Sequence, residues 1–151
     1  MASLPPAPTA SSPAVRAVMR GNRAAETSPE VALRSALHRM GLRFRKNVSP
    51  QPGIRCRADV VFRSERVAVF VDGCYWHRCP IHGVMPSVNR EYWEAKLDRN
   101  VLRDRRNDTD LRSAGWTVAR VWEHEPAAEA ATRVADIVLR HRVERQLPGS
   151  D

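Results

Sequence analysis

The sequence lacks the features that mark membrane, secreted and disulfide-stabilised proteins. No apolar run approaches the ~18 residues needed to cross a bilayer, and the N-terminus lacks the basic-then-apolar order of a signal peptide. The chain has only three cysteines, an odd number that makes a poor disulfide framework. We therefore expect a cytoplasmic protein, associated with the nucleoid if the host is bacterial.

The chain also shows no internal repeats and is too short for two domains. Its 151 residues suit one domain that buries roughly two-thirds of the surface of the unfolded chain. Residues 1–16 are rich in Pro, Ala and Ser without an apolar period, which predicts a disordered tail. We expect a single domain over residues 17–147.

Lysine is scarce, yet the chain is strongly basic. Only two of the 25 basic residues are lysine, the formal net charge is +8 and the pI is near 10.6. A positive surface binds polyanions because each neutralised phosphate releases counterions. The charge therefore indicates nucleic acid as the partner, although an arginine bias from genome base composition gives the same count.

Apolar periodicity predicts an alternation of helices and strands. The first helix starts at Ser28-Pro29-Glu30, with an N-cap serine, a proline at the first helical position and a first-turn acid, and Gly41 ends it. The predicted helices cover residues 28–40, 89–114 and 127–146, and the predicted strands cover 42–45, 58–62, 67–71 and 116–122. This α-β-β-β-α-β-α order predicts an α/β fold, a mixed central sheet flanked by helices.

The hairpin of the second and third strands predicts a site for a divalent cation. With its turn centred between Ser64 and Glu65, Asp59 lies opposite Phe70 and close to Asp72. Neighbouring carboxylates repel each other, and a hard cation such as Mg²⁺ relieves the repulsion. The alternative is that both aspartates are solvated turn residues that flank the strands. Glu30 could complete the site, or it could only complement the helix dipole.

A second metal is indicated by the spacing Cys74-x4-Cys79-x2-His82, which supplies three zinc-type ligands. His124 follows the last predicted strand and is our candidate for the fourth ligand. A structural zinc suits a loop that has little core of its own. Two buried thiols beside an exposed histidine are the alternative.

Three further residues of the cysteine-rich segment suggest chemistry and DNA contact. His77 is a candidate general base near neutral pH, and Asp104 could orient its imidazole. Tyr75 and Trp76 are candidate wedges for a base stack. Trp93 is either a third wedge or a core residue of its helix.

Five segments taken together resemble the very short patch repair (Vsr) endonucleases. These are MRGNR at 19–23, TSPE at 27–30, FVDGCYWH at 70–77, EYWEAKLDRNVLRDRR at 91–106 and GWTVARVWEHE at 115–125. They span residues 17–125 in order and at compatible spacing. The resemblance implies the PD-(D/E)xK (restriction-endonuclease-like) fold, with an α-β-β-β-α-β core to which the C-terminal helix is added.

The resemblance implies a monomeric, Mg²⁺-dependent enzyme that nicks double-stranded DNA. The cut lies 5′ of the thymine in a T·G mismatch left by deamination of 5-methylcytosine. The implied catalytic and Mg²⁺-site residues are Asp59, the backbone carbonyl of Val71, Glu30, His77 as base and Asp104 as its partner. The implied DNA contacts are Met19 and Arg20 in an N-terminal arm and the intercalating Tyr75, Trp76 and Trp93. The implied structural zinc ligands are Cys74, Cys79, His82 and His124.

The chain departs from the family pattern at two places. Asp72 occupies a position often held by histidine, which makes the catalytic site more acidic, and Arg78-Cys79-Pro80 replaces a histidine-rich stretch. Three other functions therefore stay open. They are a same-fold nuclease for restriction or defence on modified DNA, a non-catalytic zinc-stabilised DNA-binding module, and an RNA-binding protein.

Overall fold

The computed structural model describes residues 28–74, 79, 81 and 88–147. The predicted N-terminal tail lies outside these ranges, as do residues 75–78 and 82–87. The described elements are α1 (Ser28–Arg39), β1 (Arg45–Val48), β2 (Ala58–Phe62), β3 (Val67–Asp72), α2 (Arg90–Ser113), β4 (Thr117–Trp122) and α3 (Ala127–Gln146). Among them, no helix has the length and apolar character of a membrane span.

The four strands form one mixed sheet in the order β1-β2-β3-β4. The first three strands are antiparallel neighbours, as expected for short connections. β4 pairs with β3 in parallel, from Val67 opposite Thr117 to Asp72 opposite Trp122. Parallel neighbours need a long crossover, and α2 supplies it. The predicted element order and the α/β class are confirmed.

The sheet separates two apolar layers. On one face, α1 and α3 pack against Val60, Phe62 and Val69, with Leu37 and Val138 fully buried between them. On the other face, Leu111 near the end of α2 and Trp116, which follows the helix, pack onto Val61, Ala68 and Phe70. Both faces of β2 and β3 are therefore covered, which explains why these strands are almost continuously apolar.

Helices α1 and α2 end in the same way, with a glycine in the left-handed region. Gly41 has φ 81°; its N–H donates to the His38 carbonyl at 2.9 Å, and Leu42 N–H donates to Leu37 at 3.1 Å. Gly115, with φ 90°, ends α2 through the equivalent pair of hydrogen bonds. This is the Schellman arrangement, which turns the chain sharply after a helix. The two predicted helix ends are confirmed.

Some predicted boundaries and faces are wrong. The first strand is Arg45–Val48 rather than residues 42–45, because it begins only where pairing with β2 begins, at Arg45 opposite Val61. The alternation that suggested an earlier start has another cause, since Leu42 is buried by the turn after α1 and Phe44 stacks on His38. Met40, Leu102 and Val143, whose helical spacing in the sequence suggests apolar faces, are exposed.

Candidate active site

The site lies at the end of the sheet where β2 begins and β3 and β4 end. Val60 is opposite Val69, so the register continued by one residue sets Asp59 opposite Phe70, as predicted. Asp72 is the last residue of β3, and its carbonyl accepts the Glu123 N–H at 2.9 Å. The antiparallel hairpin and the parallel β4 therefore bring residues from three strands to one edge.

A cavity of about 340 Å³ opens at this edge. Asp59 and Asp72 from the sheet line it together with Asp104 from α2. Its basic lining residues are Arg55, Arg57, Arg103 and Arg120. The cavity thus combines a carboxylate centre with a cationic surround, an arrangement that suits a metal-assisted reaction on a polyanion.

Asp59 is held in a strongly acidic neighbourhood. Its Oδ2 accepts a hydrogen bond from the Val71 N–H at 2.6 Å. Burial, the opposing Val71 hydrogen bond and the adjacent Glu30 carboxyl together raise the pKa of Asp59 to about 7, and burial is the largest cause. Glu30 is itself buried in the first turn of α1, where the Arg34 guanidinium lies 3.8 Å from its Oε2.

This acid pair fits a divalent cation. Two neighbouring carboxyl groups, one buried and one partly buried, that disfavour each other's ionisation are the groups that a hard cation with oxygen ligands stabilises. The Val71 N–H donates a hydrogen bond to the Asp59 carboxyl group. The backbone of Val71, whose carbonyl is predicted as a further ligand, therefore lies next to Asp59. The structure thus brings Asp59, Glu30 and Val71 together, as the sequence predicted.

Asp72 faces a cation that the sequence analysis did not single out. Its Oδ1 lies 2.8 Å from Arg120 Nη1. Arg120 also donates to Asp108 in α2, through Nη2 at 2.7 Å and through Nε at 3.0 Å. Burial disfavours the guanidinium charge, but the Asp108 and Asp72 carboxylates outweigh it and raise the pKa of Arg120. Asp59 and Asp72 share the cavity, as predicted, and both Glu30 and Asp72 raise the pKa of Asp59, Glu30 more strongly. Asp72 is in addition ion-paired with Arg120.

The signal for Arg120 was weak. An arginine in the middle of a short strand is unusual in a covered sheet, and the parallel register sets it beside Phe70. The guanidinium carbon lies 4.5 Å from the centre of the Phe70 ring, a cation–π contact. Sequence periodicity does not define the parallel pairing of β3 with β4. Only this pairing reveals that Arg120 belongs to the edge of the sheet that carries the candidate site.

The cysteine cluster lies next to the carboxylate site. Cys74 Sγ is 3.1 Å from His124 Nδ1, Cys79 Sγ is 3.6 Å from the same nitrogen, and all three ligand atoms lie within 4.8 Å of one another. Tetrahedral zinc separates such ligands by roughly 3.5 Å, so the cluster fits zinc. Three of the four predicted ligands therefore converge; His82 lies outside the described residues.

The Cys74 thiol retains its proton strongly in this cluster. Burial raises the pKa of Cys74 to about 11, with help from the neighbouring Cys79 thiol and the Glu123 carboxylate. The Cys74 N–H also donates to Glu123 Oε1 at 2.9 Å, which fixes the loop to the end of β4. A metal would displace the thiol proton, because thiolate is the ligating form.

Most of the predicted DNA-contacting residues lie outside the described residues. These are Met19, Arg20, Tyr75 and Trp76, and the predicted base His77 is also among the residues not described. Trp93 is described and is only 6% exposed, with its ring edge-on to Tyr92 at a centroid distance of 5.1 Å. In this arrangement Trp93 packs within the protein.

Known proteins resemble this chain over most of its length. The profile of the family described as DNA mismatch endonuclease Vsr matches residues 11–82. The type II nicking enzyme V.NaeI of Lentzea aerocolonigenes is 49% identical over 125 residues, which cover 82% of this chain and 75% of the relative. The type II nicking enzyme V.XorIIP of Xanthomonas oryzae pv. oryzae is 42% identical over 73% and 79% of the two chains.

The DNA mismatch endonuclease Vsr of Escherichia coli K12 is 35% identical over 133 residues, which cover 87% of this chain and 81% of the relative. These similarities cover more of the chain than the segment matched by the family profile. Together with the four-stranded mixed sheet, they establish that this chain belongs to the Vsr family of DNA endonucleases and has the PD-(D/E)xK nuclease fold.

Proposed function

We propose that this protein is a Mg²⁺-dependent hydrolase that nicks double-stranded DNA on the 5′ side of the thymine in a T·G mismatch. The observation that carries the proposal is the acid pair of the partly buried Asp59 and the buried Glu30 at the edge of a cavity with a basic lining. Family membership supports DNA as the substrate. The repair of deaminated 5-methylcytosine is the corresponding biological role.

Mg²⁺ would be held by Asp59 and the backbone carbonyl of Val71, with Glu30 close by. When bound, it supplies positive charge to the scissile phosphate and to the leaving oxygen. The chain holds both acids in place before substrate binds. The Val71 N–H fixes one oxygen of Asp59, and the Arg34 guanidinium is paired with Glu30. Neither carboxylate then has to reorient when substrate arrives.

His77 accepts the proton of the attacking water in this proposal. Asp104, which lines the same cavity as Asp59, holds the imidazole in the orientation that accepts the proton. Attack of water on phosphorus with departure of the 3′ oxygen leaves a 5′-phosphate and a 3′-hydroxyl. Asp72 contributes indirectly, through its ion pair with Arg120.

Recognition is assigned to residues around the cavity. Tyr75 and Trp76 enter the base stack beside the mismatch, where unstacking costs less than at a paired step. Met19 and Arg20 contact the duplex from the N-terminal arm. The exposed Arg55, Arg57 and Arg103 contact phosphates and make binding sensitive to salt.

The second metal is proposed to be structural. Zinc on Cys74, Cys79, His124 and His82 would clamp the segment that follows β3 to the end of β4. The support for this is the convergence of three ligand atoms from two chain segments about 45 residues apart.

A second candidate function is nicking of DNA that is not mismatched, in restriction or defence. It is favoured by the names of several relatives, which are type II nicking enzymes. Both candidates are catalytic. The Asp59–Glu30 acid pair favours them over a DNA- or RNA-binding module, because such a module has no need of carboxylates shielded from solvent.

A panel of duplexes tests the proposal. Nicking rates are measured on T·G, T·A and methylated C·G duplexes that share one flanking sequence, with and without Mg²⁺. We expect cleavage of the T·G duplex at least tenfold faster than of the others, and only with Mg²⁺. Equal cleavage of matched and mismatched duplexes would favour the second candidate, and no cleavage of any duplex would contradict both.

A further inference from the structure

We infer that Arg120 is a positioning residue of the nicking reaction, which holds the part of α2 that carries Asp104 against the catalytic edge of the sheet. The inference rests on the proposed function, in which Asp104 orients the base His77. It concerns the contact of α2 with β4.

Helix α2 lacks apolar anchors where it passes the cavity. Its buried residues are Trp93 and Leu97 near one end and Leu111 near the other. Residues 98–110 are all described and none of them is buried, which leaves about 20 Å of helix at 1.5 Å per residue. Asp104 lies in the middle of this stretch. Hydrophobic packing therefore fixes the two ends of α2 but not the turn that carries Asp104.

Polar contacts with Arg120 fill this gap. Asp104 and Asp108 are four residues apart, so they lie on the same side of α2. Asp108 receives hydrogen bonds from both Nε and Nη2 of Arg120, a bidentate arrangement with distances of 3.0 and 2.7 Å. The Asp104 carbonyl lies 3.5 Å from Nη2. One guanidinium thus holds two successive turns of the helix.

The sheet holds the other side of the same guanidinium. Nη1 donates to Asp72 at 2.8 Å, and the Phe70 ring supports the guanidinium carbon at 4.5 Å. The side chain of Asp72 is only 8% exposed, and its backbone is tied to β4 by the Glu123 N–H. Because β3 and β4 fix Arg120 and Arg120 fixes Asp108, the distance of Asp104 from the sheet is set by this network.

Arginine is required for this role. Its planar fork reaches Asp72 on one side and Asp108 on the other while stacking on a ring, whereas lysine offers a single ammonium group without that geometry. A small displacement of a catalytic group is enough to matter, because an error of about 1 Å can slow a reaction about 100-fold.

A double-mutant cycle tests the inference. Single-turnover nicking of a T·G duplex is measured for the wild type, Arg120→Met, Asp104→Asn and the double variant at saturating Mg²⁺. We expect Arg120→Met to slow nicking about 10- to 100-fold, with DNA affinity changed less than about threefold. In the Asp104→Asn background, the same substitution should change the rate less than about threefold, because Asp104 no longer has to be positioned.

Controls separate positioning from folding. Arg140→Met removes an exposed arginine of α3 and should leave both the rate and the melting temperature unchanged. Arg120→Lys keeps the charge and should not restore the rate. If Arg120→Met does not fold, Asp108→Asn serves in the same cycle, because it removes only the contact on α2.

The outcomes distinguish this inference from the proposed function. If Asp104→Asn is slow and Arg120→Met lowers the rate by the same factor in both backgrounds, Arg120 acts independently of Asp104 and the inference is wrong. If Asp104→Asn nicks at the wild-type rate, the proposed role of Asp104 is wrong, and the inference falls with it. A reduced rate in Arg120→Met that disappears in the double variant supports the inference.

Discussion

Asp59→Asn should make the protein more stable above neutral pH while removing its activity. The pKa of Asp59 rises from 3.8 to about 7 through burial and through the neighbouring Glu30. Between these two values the folded protein binds a proton that the unfolded chain does not bind. The free energy of unfolding therefore falls as pH rises from about 4 to about 7 and is constant above that range.

The size of the effect follows from the same pKa values. At 1.36 kcal/mol per tenfold change in proton affinity, the raised pKa costs about 4 kcal/mol of folding free energy at pH 8, where Asp59 is ionised, and less than about 2 kcal/mol at pH 5, where the folded protein keeps the proton. Asparagine carries no charge at either pH and keeps an oxygen for the Val71 N–H. The variant should therefore gain about 3 kcal/mol on the wild type between pH 5 and pH 8.

Thermal or urea unfolding in Mg²⁺-free buffer without chelator measures this difference. Asp136→Asn is the matched control, because Asp136 is exposed on α3 and should give the same small change at both pH values. A stability difference between Asp59→Asn and the wild type that is identical at pH 5 and pH 8 would refute the reasoning. It would mean that Asp59 is ionised in the folded protein throughout.

Three other predictions follow from the two sites and the proposed wedge. Because Mg²⁺ must displace the proton on Asp59, less Mg²⁺ should be needed as the pH rises. The Mg²⁺ concentration for half-maximal nicking should fall about tenfold for each unit by which the pH is raised toward 7, and it should be constant above pH 7. Protein purified without chelator should contain about one equivalent of zinc, and chelation should unfold it; less than half an equivalent with a normal melting curve would exclude the Cys74 site. Trp76→Ala should weaken discrimination between T·G and T·A duplexes by about 1–3 kcal/mol. If the variant instead loses roughly 3–5 kcal/mol of folding stability and keeps its mismatch preference, Trp76 is a core residue.

Local patterns predicted the fold well where local contacts determine it. The last helix spans Ala127–Gln146 as predicted, because its apolar face and flanking Pro126 define it without reference to other elements. The short turn between β2 and β3 leaves few registers, so the position of Asp59 opposite Phe70 was accessible from the sequence. The start of β1 was not, since only the extent of its pairing with β2 determines it.

The site was predictable to a similar degree. Asp59 and Asp72 lie on one hairpin, and Cys74 and Cys79 lie on one short segment, so their proximity is a local property. The ion pairs of Arg120 join residues 12 and 48 positions apart in the sequence, across three elements. Nothing in the periodicity of β4 distinguishes an arginine that faces solvent from one that faces two aspartates, and only the packed structure separates the two.

The most direct test of the catalytic assignment is the nicking rate of Asp59→Asn on a T·G duplex, measured beside its DNA affinity. The account predicts loss of Mg²⁺-dependent nicking by at least a factor of about 1,000, with DNA affinity within about threefold of the wild type, since oxygen ligation by an anionic carboxylate is what the site provides. Asp136→Asn should nick at the wild-type rate. Nicking by Asp59→Asn at a rate close to that of the wild type would contradict the assignment of this edge of the sheet as the active site.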